Sequence, residues 1–385
     1  MFEVVVASLC VAIWAYLMIA QGGFWLCRER DEPVPAPPPR WPAVVAVVPA
    51  RNEAECIAES VGSLLRQDYA GPLTIVLVDD DSDDGTAAVA ERAAADVAGR
   101  AELVIVRSHS LPPGWTGKLW AVKQGIDAAE GMQPAPEYLL LTDADIVHAP
   151  DSLRALVARA ESRGSVLTSL MAKLRCESLP ERSHVPAFVF FFQMLFPFAW
   201  VNDSRRATAA AAGGCMLVKA AALRLAGGIQ SIRGALIDDC ALGEKLKVQG
   251  PIWLGLTERV RSIRRYENWD EVKRMISRSA YAQLRYSPLL LAGTTVGLAL
   301  TFLAGPVLAC AGEGAARWLG LVAWAMMALA FQPMLRFYRV SPLWGLALPV
   351  IALLYMAYTL ESAYQYARGQ GGTWKGRAQA NVSGS

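Results

Sequence analysis

Apolar and polar positions follow two regimes along this chain. Four long stretches carry no charge at all: Val4 to Cys27, Pro288 to Gly312, Trp318 to Leu335 and Val340 to Leu360. Each is long enough, or nearly so, to cross a hydrocarbon core of about 30 Å. The third is the shortest and contains Pro333, so a tilted, kinked or re-entrant path is open to it. Between them the pattern is finer. The short apolar runs Ala43–Val48, Leu73–Val78, Leu103–Val106 and Tyr138–Leu141 read as buried strands. They alternate with helical segments: Glu55–Gln67, where Ile57, Val61, Leu64 and Leu65 share one face, then Thr86 to about Ala98 and Lys118–Glu130. Strands alternating with helices of this length predict an α/β fold with a mostly parallel sheet covered on both faces. A helix over Leu153–Ser162 and strands at Val166–Leu170 and Ile252–Leu256 continue the series. The aromatic stretch Val185–Val201, with Pro186 and Pro197, reads as an interfacial or core helix. The small, glycine-rich segment Ala207–Val218 implies close backbone approach. Asn268–Tyr286 reads as an amphipathic helix whose Lys273, Arg274, Arg278 and Arg285 suit anionic lipid headgroups.

This gives five regions: an N-terminal transmembrane helix (1–27), a proline-rich linker (28–42), an α/β domain (43–287), two or three C-terminal transmembrane helices (288–364) and a polar tail (365–385). The first segment reads as an anchor and not a cleaved leader. Met1-Phe2-Glu3 lacks a basic start, and Arg28 and Arg30 follow the apolar run. The positive-inside rule then places the α/β domain on the cytoplasmic side of the cell's inner membrane. Arg368, Lys375 and Arg377 in the tail fit that rule poorly, which leaves the number of C-terminal crossings open. Composition agrees with membrane attachment: 54% of residues are hydrophobic and the mean hydropathy is +0.28. A net charge of +2 offers no bulk attraction for nucleic acid. The seven cysteines form no CxxC pair or zinc spacing, and His109, His148 and His184 are scattered.

The candidate chemistry lies where strands end. Leu73–Val78 runs into Asp79-Asp80-Asp81-Ser82-Asp83-Asp84-Gly85-Thr86, five carboxylates within six residues. Tyr138–Leu141 runs into Thr142-Asp143-Ala144-Asp145. Such charges repel unless cations, donors or water offset them. Two acidic strand ends suggest one site at the carboxyl edge of the sheet, where open α/β sheets bind ligands. Taken alone, either acidic turn is equally a solvated helix cap.

Six segments in order give a more specific reading. Val48-Pro49-Ala50-Arg51-Asn52-Glu53, Val78–Thr86, Gly117-Lys118-Leu119-Trp120-Ala121, Thr142–Asp145, Asp238-Asp239-Cys240-Ala241-Leu242 and Gln283-Leu284-Arg285-Tyr286 resemble the signatures of family 2 glycosyltransferases, over roughly residues 43 to 290. The resemblance implies a GT-A-like nucleotide-sugar domain that transfers a sugar with inversion. It implies that Pro49, Arg51, Glu53, Asp79 and Asp80 line the nucleotide pocket and that Lys118 contacts the diphosphate. Asp143 and Asp145 would hold Mg²⁺ or Mn²⁺, with Asp145 the more direct ligand and Asp143 also facing the donor. Hard cations of this kind take one or two carboxylates together with phosphates. Asp239 would be the general base, with Asp238 where relatives have Glu. Asp238, Gln283, Arg285 and Tyr286 would bind the acceptor or diphosphate. Tyr286 stands where polymerising relatives have Trp, which speaks against processive synthesis. Asp83, Asp84 and Thr86 are assigned to helix capping.

The expected activity is therefore a membrane-anchored, metal-dependent transfer of a sugar from a nucleotide-diphosphate donor, a UDP-sugar foremost, to a lipid-type acceptor. Pro113–Ala121 and the layout of spans resemble the hopanoid-biosynthesis-associated branch. A polyprenyl-phosphate glycosyltransferase or polysaccharide synthase is the alternative enzyme, and a nucleotide-sugar-binding membrane scaffold the non-enzyme alternative.

Overall fold

The computed structural model describes residues 1–97, 101–369, 373–374 and 377–378. Ala98, the expected end of one helix, and residues 370–372, 375–376 and 379–385 of the expected tail, Lys375 among them, lie outside the described residues. The chain divides into two compact units. One comprises residues 29–175, 200–264 and 373–385, the other residues 1–28, 176–199 and 265–372.

The first unit is built on eight strands: β1 (Val44–Ala50), β2 (Leu73–Asp79), β3 (Glu102–Arg107), β4 (Tyr138–Leu141), β5 (Ile146–His148), β6 (Leu167–Lys173), β7 (Met216–Lys219) and β8 (Ile252–Ser262). They lie in the order β3-β2-β1-β4-β7-β6-β8-β5. On one side the alternation of strands and helices holds: β1 pairs in parallel with β2 and β4, and β2 with β3. All seven residues of β1 are buried, as a strand covered on both faces requires.

The other side corrects the expectation of a mostly parallel sheet. β7 runs antiparallel to both β4 and β6, and β5 runs antiparallel to β8, so the sheet is mixed. The reason lies in where β7 enters. Leu141, the last residue of β4, pairs with Met216, the first of β7. The chain therefore arrives at the carboxyl edge and runs back, and the small residues just before β7 lie over that edge. The proline-rich segment also begins inside this unit. Leu256 N–H donates to Glu29 O at 2.9 Å and Asp31 N–H to Leu256 O at 3.0 Å. The buried Asp31 carboxylate pairs with Arg259 at 3.2 Å.

One glycine shows how closely the covering helices pack. Helix Gly117–Glu130 lies on β1 and β2, and a Cβ at Gly125 would overlap Val47 Cγ1 and stand 2.9 Å from Val78 Cγ2. Valine side chains cannot swing away, so Gly125→Ala is expected to destabilise the protein by about 1–3 kcal/mol. A melting temperature that does not fall would contradict this packing.

The second unit is helical. Phe2–Ile19, Pro288–Ala311, Gly314–Tyr338 and Trp344–Ala367 are long and apolar enough to cross a membrane. Pro333 sits within the continuous helix Gly314–Tyr338. A π-helical turn, Ala299–Ala304, interrupts the second of the four. Trp14 Nε1 donates to Thr301 O at 2.8 Å and Cys10 Sγ to Leu300 O at 3.3 Å, so carbonyls within the widened turn find donors. A Cβ at Gly320 would stand 2.6 Å from Gly305 O, which marks close backbone approach of two helices. The aromatic helix starts earlier than its apolar run suggests. It spans Leu179–Leu195, opened by a capping box between Ser178 and Glu181. Its Phe190 packs between Phe24 and Phe331 in the core of this unit.

Candidate active site

The loops after β1 and β2 are laced to each other by the acids that end β2. Ser82 N–H donates to Asp79 Oδ1 at 3.1 Å. Glu53 N–H donates to Thr86 Oγ1 at 2.9 Å, and Asp84 accepts from Ala54 N–H at 2.9 Å and from Thr86 N–H at 3.0 Å. Asp84 thus bonds the first residue of helix Thr86–Ala95 and ties it to the neighbouring loop, but the N-cap position is Gly85 and no side chain caps the helix. Arg51 donates to the carbonyl oxygens of Asp80 and Asp81 and lies 3.8 Å from the fully buried Asp80 carboxylate. Asn52 and Asp81 adopt left-handed backbone with φ of 52° and 58°, which Asn and Asp tolerate better than most residues. The five residues expected to line a nucleotide pocket are thus brought to one edge: Pro49, Arg51 and Glu53 from β1 and its loop, Asp79 and Asp80 from β2.

A second group gathers at the end of β4. Thr142 Oγ1 donates to Gly214 O at 2.8 Å and accepts from His148 Nε2 at 3.0 Å, a tautomer set by the donor and acceptor roles. Burial pushes His148 down to about 4, so the ring stays neutral. These bonds fix the direction in which the chain leaves β4. Lys118, at the start of helix Gly117–Glu130, bridges Asp143 at 2.9 Å and Asp238 at 3.1 Å. Burial opposes the lysine's charge, but Asp143 and Asp238 hold its pKa well above the ordinary value. Burial raises the Asp143 carboxyl against the pull of Lys118.

Asp238 and Asp239 form the first turn of helix Asp238–Lys247, where the helix dipole favours negative charge. Asp239 Oδ2 accepts from Gly213 N–H at 2.9 Å and Oδ1 from Cys240 N–H at 2.7 Å. A Cβ at Gly213 would stand 3.4 Å from Asp239 Oδ2 and 3.5 Å from Lys118 Nζ, so this glycine keeps both groups open to the same space. Burial, and then the like charge of Asp238, push Asp239 up to about 6 despite Lys118 and the two N–H donors. Pro49, Lys118, Thr142, Asp143, Gly213 and Asp238 line one shallow pocket together.

The second acid of the pair points elsewhere. Asp145 Oδ2 accepts from Arg264 Nε at 2.6 Å, and Arg264 Nη2 donates to Glu53 Oε1 at 2.7 Å. Asp143 and Asp145 therefore each carry a side-chain cation. Their donor set fits a hard divalent ion that arrives with phosphate oxygens: it is all oxygen, at one strand end, and supplies two carboxylates. Among the described residues no three His, Cys, Asp or Glu side chains gather into a protein-only cage.

Gln283, Arg285 and Tyr286 belong to the helical unit. Arg285 and Tyr286 are both left-handed, with φ of 51° and 55°. Consecutive non-glycine residues in this region carry strain of about 1–3 kcal/mol each. One face of the Tyr286 ring is covered by Tyr366, stacked at 4.4 Å, and Tyr281 packs edge-on at 5.7 Å.

Sequence reasoning passed over Arg264, His148 and the Gly213 N–H. The basic run around Arg261, Arg264 and Arg265 was the only trace of the first. A backbone donor leaves no trace beyond the glycine itself.

Part of the chain is similar to known proteins. Residues 45–224 match the family described as glycosyl transferase family 2. An N-acetylglucosaminyltransferase of Azorhizobium caulinodans is 33% identical over 142 residues, 36% of this chain and 32% of that protein. The chain thus spans about a third of the length of that curated relative. Among solved structures, a mannosyltransferase from Pyrobaculum calidifontis in complex with GDP-Man and Mn²⁺ superposes with a TM-score of 0.56. It is 21% identical, and the match covers 96% of this chain and 100% of that one. The family match covers just under half of the chain, and the structural match shows a shared fold.

Proposed function

We propose that this chain moves a sugar from a nucleotide-diphosphate donor to a lipid-type acceptor, with inversion, at the edge where β1, β2 and β4 end. The observation that carries the reading is the joining of Asp143, Lys118, Asp238 and the half-buried Asp239 in one cluster. Asp239 takes the proton of the acceptor hydroxyl. The acceptor oxygen then bonds to the anomeric carbon while the bond from that carbon to the diphosphate oxygen breaks, and the nucleoside diphosphate leaves with the electron pair. Asp143 and Asp145 are the residues that would hold Mg²⁺ or Mn²⁺, which when bound supplies positive charge against the leaving diphosphate. Lys118 sits on Asp143 and adds charge to the same region as a compact ammonium. Asp79, Asp80 and the loop of Arg51 and Glu53 receive the nucleoside, for which carboxylates accept from ring N–H and sugar hydroxyls.

The mannosyltransferase complex with GDP-Man and Mn²⁺ supports a nucleotide-sugar donor and a divalent ion, and a UDP-sugar remains our first candidate. Four helices of spanning length support a membrane enzyme with a lipid acceptor. Arg28 and Arg30 support a cytoplasmic site, and Pro113–Ala121 supports a hopanoid-type or related polyprenyl acceptor. The covered face of Tyr286 favours single transfer over polymer synthesis. Membranes given a radiolabelled UDP-sugar are expected to yield label that extracts with organic solvent. Label retained as ethanol-insoluble polymer would point to a polysaccharide synthase instead.

The raised pKa of Asp239 fixes a pH dependence. The base works as the anion, and its pKa lies above the usual carboxylate range, at about 6. The free enzyme's kcat/KM is therefore expected to fall as pH drops through about 6 and to level off above it. An acid limb near pH 4 would mean that the base is a less buried carboxylate.

A further inference from the structure

Arg264 lies just beyond β8 and matches none of the motif positions. Its guanidinium spans two carboxylates that come from different strand ends, Asp145 after β4 and Glu53 after β1. Both are largely withdrawn from water, with side-chain exposures of 12% and 10%. The surrounding backbone is fixed: Ile263 N–H donates to Asp145 O at 3.0 Å, and Arg264 N–H donates to Ser262 Oγ at 3.3 Å. Carboxylates so withdrawn need a cation close by, and a planar guanidinium is the side chain suited to hold two at once.

We propose that Arg264 is the resident counter-cation of Asp145. It neutralises the carboxylate while no donor is bound and yields that place to the divalent ion that enters with the nucleotide diphosphate, staying tethered through Glu53. This rests on the reading of Asp145 as a metal ligand. Whichever oxygen of Asp145 the ion takes, the guanidinium charge stands within a few ångströms and opposes it. The ion alone therefore binds weakly. The ion with a diphosphate binds well, because the phosphate charge outweighs the arginine and gives its guanidinium a new partner. Binding of ion and nucleotide is coupled, and the coupling is reciprocal.

The test is a titration of the full-length protein with Mn²⁺, followed by loss of the free-ion signal in electron paramagnetic resonance, with and without UDP or GDP. Arg264→Gln is expected to bind Mn²⁺ alone roughly tenfold tighter than the unaltered protein, and to show a smaller gain on adding nucleotide. Unchanged or weaker binding of Mn²⁺ alone would overturn the proposal and make Arg264 an orienting partner of Asp145. Arg264→Lys keeps a charge but cannot span both carboxylates with one fork. It is expected to shift the same way by a smaller factor, and it decides the matter if the glutamine variant does not fold. Asp145→Asn separates the two levels of inference. If it leaves Mn²⁺ binding unchanged, the metal assignment fails and the proposal with it. If it weakens binding while Arg264→Gln fails to tighten it, only the role of Arg264 falls.

Discussion

Asp239→Asn is expected to lower the rate of sugar transfer by about 10²–10⁴-fold, the usual contribution of a positioned general base. The change is nearly isosteric. The amide keeps one oxygen acceptor for Gly213 N–H or Cys240 N–H, so helix Asp238–Lys247 should still start where it does. What the amide cannot do is accept a proton from the acceptor hydroxyl. The loss should therefore appear in kcat, with nucleotide affinity changed little, because Asp239 is not among the residues of the β1 and β2 loops. Asp238→Asn is expected to cost less, since Asp238 acts through Lys118 at 3.1 Å. Steady-state rates together with calorimetric nucleotide binding decide the point. Transfer activity surviving in Asp239→Asn would remove it from the base role.

Removal of the divalent ion is expected to have an effect of similar size. A chelator should abolish transfer, and added Mg²⁺ or Mn²⁺ should restore it. Asp143→Asn and Asp145→Asn should each lower kcat/KM by roughly 10²–10³-fold, the scale seen when one group facing developing charge is lost. The two should differ in stability. Asp143→Asn leaves Lys118 with Asp238, whereas Asp145→Asn leaves Arg264 with Glu53 alone at a site largely shielded from water. The latter should lower the melting temperature more. Activity that persists in chelator would contradict the assignment of Asp143 and Asp145.

Much of the sheet could be read from the chain because β1, β2 and β4 are continuous apolar runs, the last two stopping at acids, and burial of both faces imposes such runs. β5 and β7 escaped for a physical reason. They have three and four residues, too few for a period to show, and β7 follows a run of small residues that carries no pattern of its own. The direction of β7 is what turns a parallel sheet into a mixed one, so the departure from the expected sheet arises at a strand of four residues. β8 escaped in length. Past Leu256 its residues alternate between buried and exposed, as in Val260, Arg261 and Ser262, and a run of charged residues hides that alternation.

The site divides in the same way. Its carboxylates were legible because acids at strand ends are costly and therefore conspicuous. Their partners were not. Lys118 reads from its motif as a phosphate contact, yet its ammonium lies between Asp143 and Asp238, an arrangement set by the docking of two helices far apart in the chain. Arg264 meets Glu53 across 211 positions, and no local pattern carries such a contact.

The most direct measurement is of the products formed by the purified, membrane-reconstituted protein with Mn²⁺, a panel of nucleotide sugars and a total lipid extract, read by mass spectrometry. The account predicts that one donor gives a lipid heavier by one sugar residue, together with an equal amount of nucleoside diphosphate, and that both vanish in Asp239→Asn. Absence of sugar-bearing lipid with every donor, or its undiminished formation by Asp239→Asn, would contradict it.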